Sequence, residues 1–176
     1  MRRVMLLRHA KSSWDHMDLD DIDRPLALRG RLSAPLLGRY IYRRKLEPDL
    51  VLCSPAMRAR QTWELISAEW DQTNAAKRPQ LEMRSSFYLA RPAMLMSALQ
   101  RIDDEVASVM IIGHNPGMQQ LALQMVGAEK SNAFKKMEKK FPTAALAVIG
   151  FAEESWSALA FGSGKLFCFV RPKDLM

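Results

Sequence analysis

The amino-acid sequence predicts an α/β fold, a sheet flanked by helices, with the whole chain 1–176 forming one domain. Three observations predict it. Apolar runs of strand length alternate with segments of helical period. The chain has 176 residues, 48% of them hydrophobic, enough for one sizeable core and too few for two. In the last third the alternation gives way to apolar runs joined by short turns, which adds antiparallel strands at the C-terminus.

The elements follow in order. "RVMLLR" (3–8) opens as a strand, and the polar "DHMDLDDIDRPL" follows as a loop. "RGRLSAPLLGRYIYRRK" (29–45) reads as a helix with Leu32, Leu36, Leu37, Tyr40 and Ile41 on one face, despite Pro35 in its first turns. "DLVLCS" (49–54) is a second strand and "AMRARQTWELISAEW" (56–70) a second amphipathic helix. A strand around Leu81 to Arg84, a helix from Pro92 to Ile102, the strand "VASVMIIG" (106–113) and a helix from Pro116 to Val126 complete the alternation. "AALAVIGF" and "WSALAFGSGKLFCFV" then give two or three strands, turning at "AEES" and "GSGK".

Composition excludes several function classes. The formal charge is +7, but lysine and arginine are spread from Arg2 to Lys173, and only "KSNAFKKMEKK" (130–140) gathers them. That stretch is interrupted by Glu138 and lacks stacking aromatics, so it reads as a solvated helix or loop face and no nucleic-acid partner is expected. Cys53 and Cys168 sit inside apolar runs and read as buried free thiols, which suits a reducing cytosol. The first apolar run is closed too early by His9 and Lys11 for a signal peptide, and none reaches the ~20 residues of a membrane span. A cytoplasmic protein is expected, with no membrane partner.

Three strands end on notable residues: Arg8-His9, Cys53-Ser54-Pro55 and Gly113-His114-Asn115-Pro116. At the first no turn residue intervenes, although a chain merely leaving a sheet normally uses Gly, Pro, Asn or Asp. Ligands of open α/β sheets bind beyond the carboxyl ends of the strands, so the three are expected to meet there. Singly, His9, His114, Arg8 and Arg58 each read as structural. As a set they suit phosphoryl transfer to a histidine, because guanidinium forks match phosphate oxygens and neutral imidazole is a competent nucleophile toward phosphorus.

"LLRHAKSSWD", "SPAMRARQT" and "GHNPG", three motifs in order, resemble those of the histidine phosphatase superfamily. "DRPLALRG" (23–30) resembles the segment leading into that family's first helix, and the short length resembles its small phosphohistidine phosphatases of the SixA type. The resemblance runs from the first strand to the end of the chain. It implies a phosphoglycerate mutase-like fold: a single-domain three-layer α/β/α arrangement, mostly parallel, with antiparallel C-terminal strands. It implies His9 as the phosphorylated nucleophile, Arg8 and Arg58 as phosphoryl clamps, and His114 as a further positive or hydrogen-bonding contact. The expected substrate is a phosphorylated protein or a small-molecule phosphate, most favourably a phosphohistidine or another phosphoramidate. No cofactor or metal is implied.

The departures matter. Ala10 replaces the family's glycine after Arg-His. Asp15 stands where mutase relatives carry a phosphate-binding asparagine, which disfavours mutase chemistry. Asn115 follows the second histidine where one branch has an acid. Glu82 is the mid-chain glutamate, but it lacks its surrounding pattern. Neither Asp15 nor Glu82 is assigned as general acid. Among rivals, a cysteine phosphatase loop fails because Ala59 stands where Cys53 would require arginine. "FGSGKLF" lacks the remaining P-loop residues. His16, Asp15, Asp18, Asp20 and Asp21 lack the ordered spacing of a calcium loop and read as a solvated acidic loop. A phosphatase for a small phosphomonoester and a non-catalytic phosphate-binding module remain as alternatives.

Overall fold

A computed structural model describes residues 1–70, 78–127 and 129–176. Its six strands are β1 (Arg2–Arg8), β2 (Leu50–Cys53), β3 (Gln80–Met83), β4 (Ser108–Gly113), β5 (Leu146–Phe151) and β6 (Lys165–Val170). Its helices are α1 (Leu28–Arg43), α2 (Met57–Ser67), α3 (Pro92–Leu99), α4 (Gly117–Val126) and α5 (Asn132–Lys139). The strands form one sheet in the order β3-β2-β4-β1-β5-β6. β1, β2, β3 and β4 pair parallel, whereas β5 and β6 add antiparallel.

Alternation along the central strands builds the three layers, because successive side chains leave a strand on opposite faces. Val4 and Leu6 of β1 join one core with Leu52, Ile111, Leu99 and Leu121. Met5 and Leu7 join the other with Val51, Ile112, Leu37 and Ile66. α1 and α2 thus cover one face, and α3, α4 and α5 the other. Every residue of β4 is buried, as befits a parallel strand covered on both faces.

This topology positions a site. β1 and β4 are neighbours, yet from their carboxyl ends the chain departs to opposite faces, through α1 and α4. Such a divergence opens a crevice beyond the strand ends. Arg8 ends β1 and His114 follows β4, so both sides of the crevice carry the residues singled out above.

The structure corrects several expectations. Leu32 is 64% exposed, and the buried face of α1 is instead Gly30, Ala34, Leu37, Gly38 and Ile41. The two glycines let other backbone approach closely: an added Cβ on Gly30 would lie 2.2 Å from the Lys11 carbonyl oxygen, and one on Gly38 2.6 Å from that of Ile66. The basic stretch 130–140 contains α5, capped by the Ser131 hydroxyl, and is not wholly solvated because Phe134 and Met137 are buried. The tail holds two strands, within the two or three expected, and Trp156 lies in a short 3-10 turn. Cys53 is buried, but Cys168 is only partly so. Among the described residues no helix is long and apolar enough to cross a membrane.

Candidate active site

β1 and β4 are tied together at their ends by the His9 amide, which donates to the Gly113 carbonyl at 3.0 Å. The loop after His9 is bolted to α2: the Ala10 amide donates to Thr62 Oγ1 at 2.9 Å, and that hydroxyl donates to the Arg58 carbonyl at 2.6 Å. A third tie comes from the turn that precedes β5, where the Ala144 amide donates to the carbonyls of Arg8 and His9. His9, Arg58 and His114 are nearly fully buried, and backbone hydrogen bonds fix the frame that carries them.

The hydrogen bonds assign the protons on both imidazoles. His9 Nδ1 lies 2.7 Å from the Ala10 carbonyl oxygen, which can only accept, so Nδ1 carries the hydrogen and Nε2 the lone pair. His9 Nε2 accepts from Arg58 Nε at 3.3 Å. His114 Nδ1 lies 3.3 Å from Arg58 Nη2, which can only donate; its proton is therefore on Nε2, which donates to Ser54 Oγ at 2.7 Å. The Nε and Nη2 edge of one guanidinium thus faces two imidazole lone pairs, and the rings themselves are 5.1 Å apart.

Both imidazoles are held neutral. Burial, together with His114, Arg58 and Arg8, pushes His9 down to about 3 against the opposing Ala10 carbonyl. Burial and Arg58 push His114 down to about 4. Desolvation penalises the imidazolium, and neighbouring cations add to the penalty. Arg8 Nη1 donates to the Phe141 carbonyl at 2.9 Å. Its Nε is buried and has no hydrogen-bond partner among the described residues.

Tyr88 and Arg24 join the site without having been singled out, and so does Asp21, read above only as part of a solvated acidic loop. Asp21 Oδ2 accepts from Arg58 Nη2 at 3.0 Å, its carbonyl accepts from Arg58 Nη1 at 2.6 Å, and Oδ1 accepts from Arg24 Nη1 at 2.9 Å. The Tyr88 hydroxyl also donates to Asp21, and the Tyr88 ring stands edge-on to His114 at 5.5 Å. Tyr88, Arg24 and Arg58 together hold Asp21 well below the usual carboxylate range. The loop read as solvated therefore delivers one carboxylate inward, across 37 residues of sequence. A buried arginine in need of an acid is the signal that pointed there, but sequence does not say which acid of the loop answers it.

Asp15 is exposed. Glu82 lies on β3, where it accepts from Arg84 at 2.5 Å and from Gln80 at 3.0 Å. Asn115 Nδ2 donates to the Phe141 carbonyl at 3.0 Å, and its Oδ1 accepts the Gln119 amide of α4 at 3.2 Å. Cys53 is pushed up to about 12 by burial, so its thiol stays protonated and poorly nucleophilic. No three His, Cys, Asp or Glu side chains among the described residues converge as a metal-binding group.

Comparison with known proteins gives a consistent likeness. The model of the histidine phosphatase superfamily (branch 1) matches residues 4–85, which include Arg8, His9 and Arg58. An uncharacterized protein of Mycobacterium leprae is 33% identical over 173 residues, covering 95% of this chain and 100% of that protein. Phosphohistidine phosphatase SixA of Escherichia coli is 29% identical over 134 residues, 75% of this chain and 79% of that one. A crystal structure from Agrobacterium tumefaciens with the provisional name phosphohistidine phosphatase SixA superposes with a TM-score of 0.78 at 30% identity, over 97% of this chain and 99% of that chain.

Proposed function

This chain belongs to the histidine phosphatase superfamily, and from that premise we propose that it hydrolyses phosphoryl groups carried on nitrogen, phosphohistidine foremost, through a phosphohistidine intermediate on His9. One observation carries the reading: the Nδ1 hydrogen bond to the Ala10 carbonyl leaves His9 Nε2 with its lone pair, in the crevice beside Arg58 and His114. A nucleophile must be unprotonated and aimed, and His9 is both.

In the first step Nε2 attacks phosphorus, the bond to the substrate nitrogen breaks, and the leaving imidazole takes a proton. In the second, water attacks the phosphorus on His9, releasing inorganic phosphate and restoring the free imidazole. The Nε and Nη2 donors of Arg58, now 3.3 Å from imidazole nitrogens, turn to phosphoryl oxygens, which bind charge-assisted donors more strongly. Arg8 Nε, buried without a hydrogen-bond partner among the described residues, is a second donor suited to an anion. His114 contacts the phosphoryl group through Nδ1 once the dianion draws a proton onto it. These guanidinium groups supply positive charge of the kind a metal ion would otherwise bring, so a chelator is expected to leave the rate unchanged.

Rapid quench with radiolabelled phosphohistidine tests the reading. The expected result is an acid-labile, base-stable adduct on His9, lost in His9→Ala. Label on Ser54 or Cys53, or binding of the substrate with no turnover, would overturn it.

A further inference from the structure

Beside the active-site loop runs a groove of about 470 Å3 between the first turns of α1 and the C-terminal tail. Leu28 and Leu32, one turn apart, form its apolar lip and are 72% and 64% exposed. Pro172 and Met176 face them from the tail. Two adjacent large apolar side chains on one exposed helical face, with a concave surface beside them, mark an interaction site rather than scattered surface residues.

The groove is cationic. Lys11, Arg29, Lys140 and Lys173 line it, and no Asp or Glu is among the described residues that do. None of the four has an ion-pair partner among the described residues. Arg171 also lines it, but both of its side-chain hydrogen bonds, at 2.9 and 2.8 Å, go to Asp174. The groove also adjoins the nucleophile. Lys11 is two residues from His9, at most about 7 Å along the chain. Thr143, which lines the groove, precedes Ala144, whose amide bonds the His9 carbonyl at 3.1 Å.

We propose that this groove docks an acidic, apolar-faced helix of a phosphorylated protein substrate and so presents the phosphohistidine of that protein to His9. The proposal rests on the phosphatase reading for the phosphoryl group and adds to it where the partner is held. An amphipathic helix offers anchors at i and i+4 to such a groove, which matches the one-turn spacing of Leu28 and Leu32, and its flanking carboxylates meet the four cations. A second copy of this chain fits poorly, since each copy carries +7 and brings like charge to a cationic groove.

The test uses three substrates: a synthetic phosphohistidine helix with glutamates flanking leucines at i and i+4, its counterpart with lysine for every glutamate, and p-nitrophenyl phosphate. The wild type is expected to favour the acidic helix over the basic one by about tenfold or more in kcat/KM. Arg29→Glu combined with Leu32→Glu, both at exposed positions, is expected to remove that preference, chiefly through KM, with p-nitrophenyl phosphate within about twofold of wild type. Lys140→Glu combined with Lys173→Glu, on the opposite wall, is expected to do the same. Equal turnover of the two helices by the wild type, or a preference that survives both variants, would overturn the docking proposal alone. Hydrolysis of p-nitrophenyl phosphate with neither helix touched would overturn the phosphohistidine reading and the docking proposal with it.

Discussion

Asp21 grips Arg58 along one side of its guanidinium, by Oδ2 to Nη2 at 3.0 Å and by its own carbonyl to Nη1 at 2.6 Å, while the Nε side faces His9. The carboxylate therefore holds the arginine from behind and leaves its Nε edge turned toward His9, where the proposed reaction places the phosphoryl group. Arg24 and Tyr88 hold Asp21 in turn. A misdirected clamp loses transition-state contacts that ground-state binding does not reveal. Asp21→Ala is expected to lower kcat by about tenfold or more with a smaller change in KM, and Asp21→Asn, which keeps an acceptor, by less. Steady-state kinetics on an aryl phosphate checks this. Arg58→Ala, which removes the proposed clamp itself, is expected to cost about a hundredfold or more, roughly 3 kcal/mol.

The neutral imidazoles make stability depend on pH. His9 is pushed down to about 3 and His114 to about 4, whereas both titrate near ~6.5 in the unfolded chain. Between those values the unfolded chain binds protons that the folded one excludes, so stability falls as pH falls from about 6.5 toward about 3, and is fully present above about 6.5. Thermal unfolding should show Tm dropping across that window. His9→Asn should flatten the drop, and a profile identical to wild type would mean that His9 is not held neutral by the fold.

Glycine in a helix interior normally costs about 1 kcal/mol relative to alanine, so replacing it usually stabilises. At Gly30 the sign reverses. An added Cβ would lie 2.2 Å from the Lys11 carbonyl, the same carbonyl that accepts the Ala27 amide at 2.8 Å. Gly30→Ala is expected to lower Tm and, because Lys11 lies two residues beyond His9, the proposed nucleophile, to lower kcat as well. Calorimetry alongside an aryl phosphate assay tests both.

The legible part of the site was the part that lies at strand ends. Arg8 and His9 end one apolar run where a turn residue belongs, His114 directly follows another, and Arg58 stands one turn into the helix after a third, so together they stand out as a set placed at strand ends. Asp21 and Tyr88 were illegible because their role depends on how a loop and a 3-10 turn fold back over the strand ends, which no period in the sequence encodes. Leu32 misled for a related reason. Helical spacing places it near Leu36, but α1 packs on its small-residue face, through Gly30, Ala34 and Gly38, and leaves Leu32 outside.

The final expectation concerns the leaving group. Hydrolysis of an alkyl phosphate expels an alkoxide, and a positioned proton donor contributes ~100-fold or more to such a step. Among the described residues, no carboxylic acid is placed in this site to supply it. Asp21 is held ionised by Tyr88, Arg24 and Arg58, Asp15 is exposed, and Glu82 is engaged with Arg84 and Gln80 on β3. Asn115, in the position next to His114, is committed to the Phe141 carbonyl and the Gln119 amide. The imidazole of a phosphohistidine needs no such help, because its conjugate acid titrates near ~6.5 and water can supply the proton at neutral pH. The order expected in kcat/KM is therefore phosphohistidine, then an aryl phosphate, then serine or glycerol phosphate, with the alkyl esters lower by about a hundredfold. Parallel assays at pH 7 decide it, and alkyl esters hydrolysed as fast as phosphohistidine would require an acid that enters the site only with substrate bound.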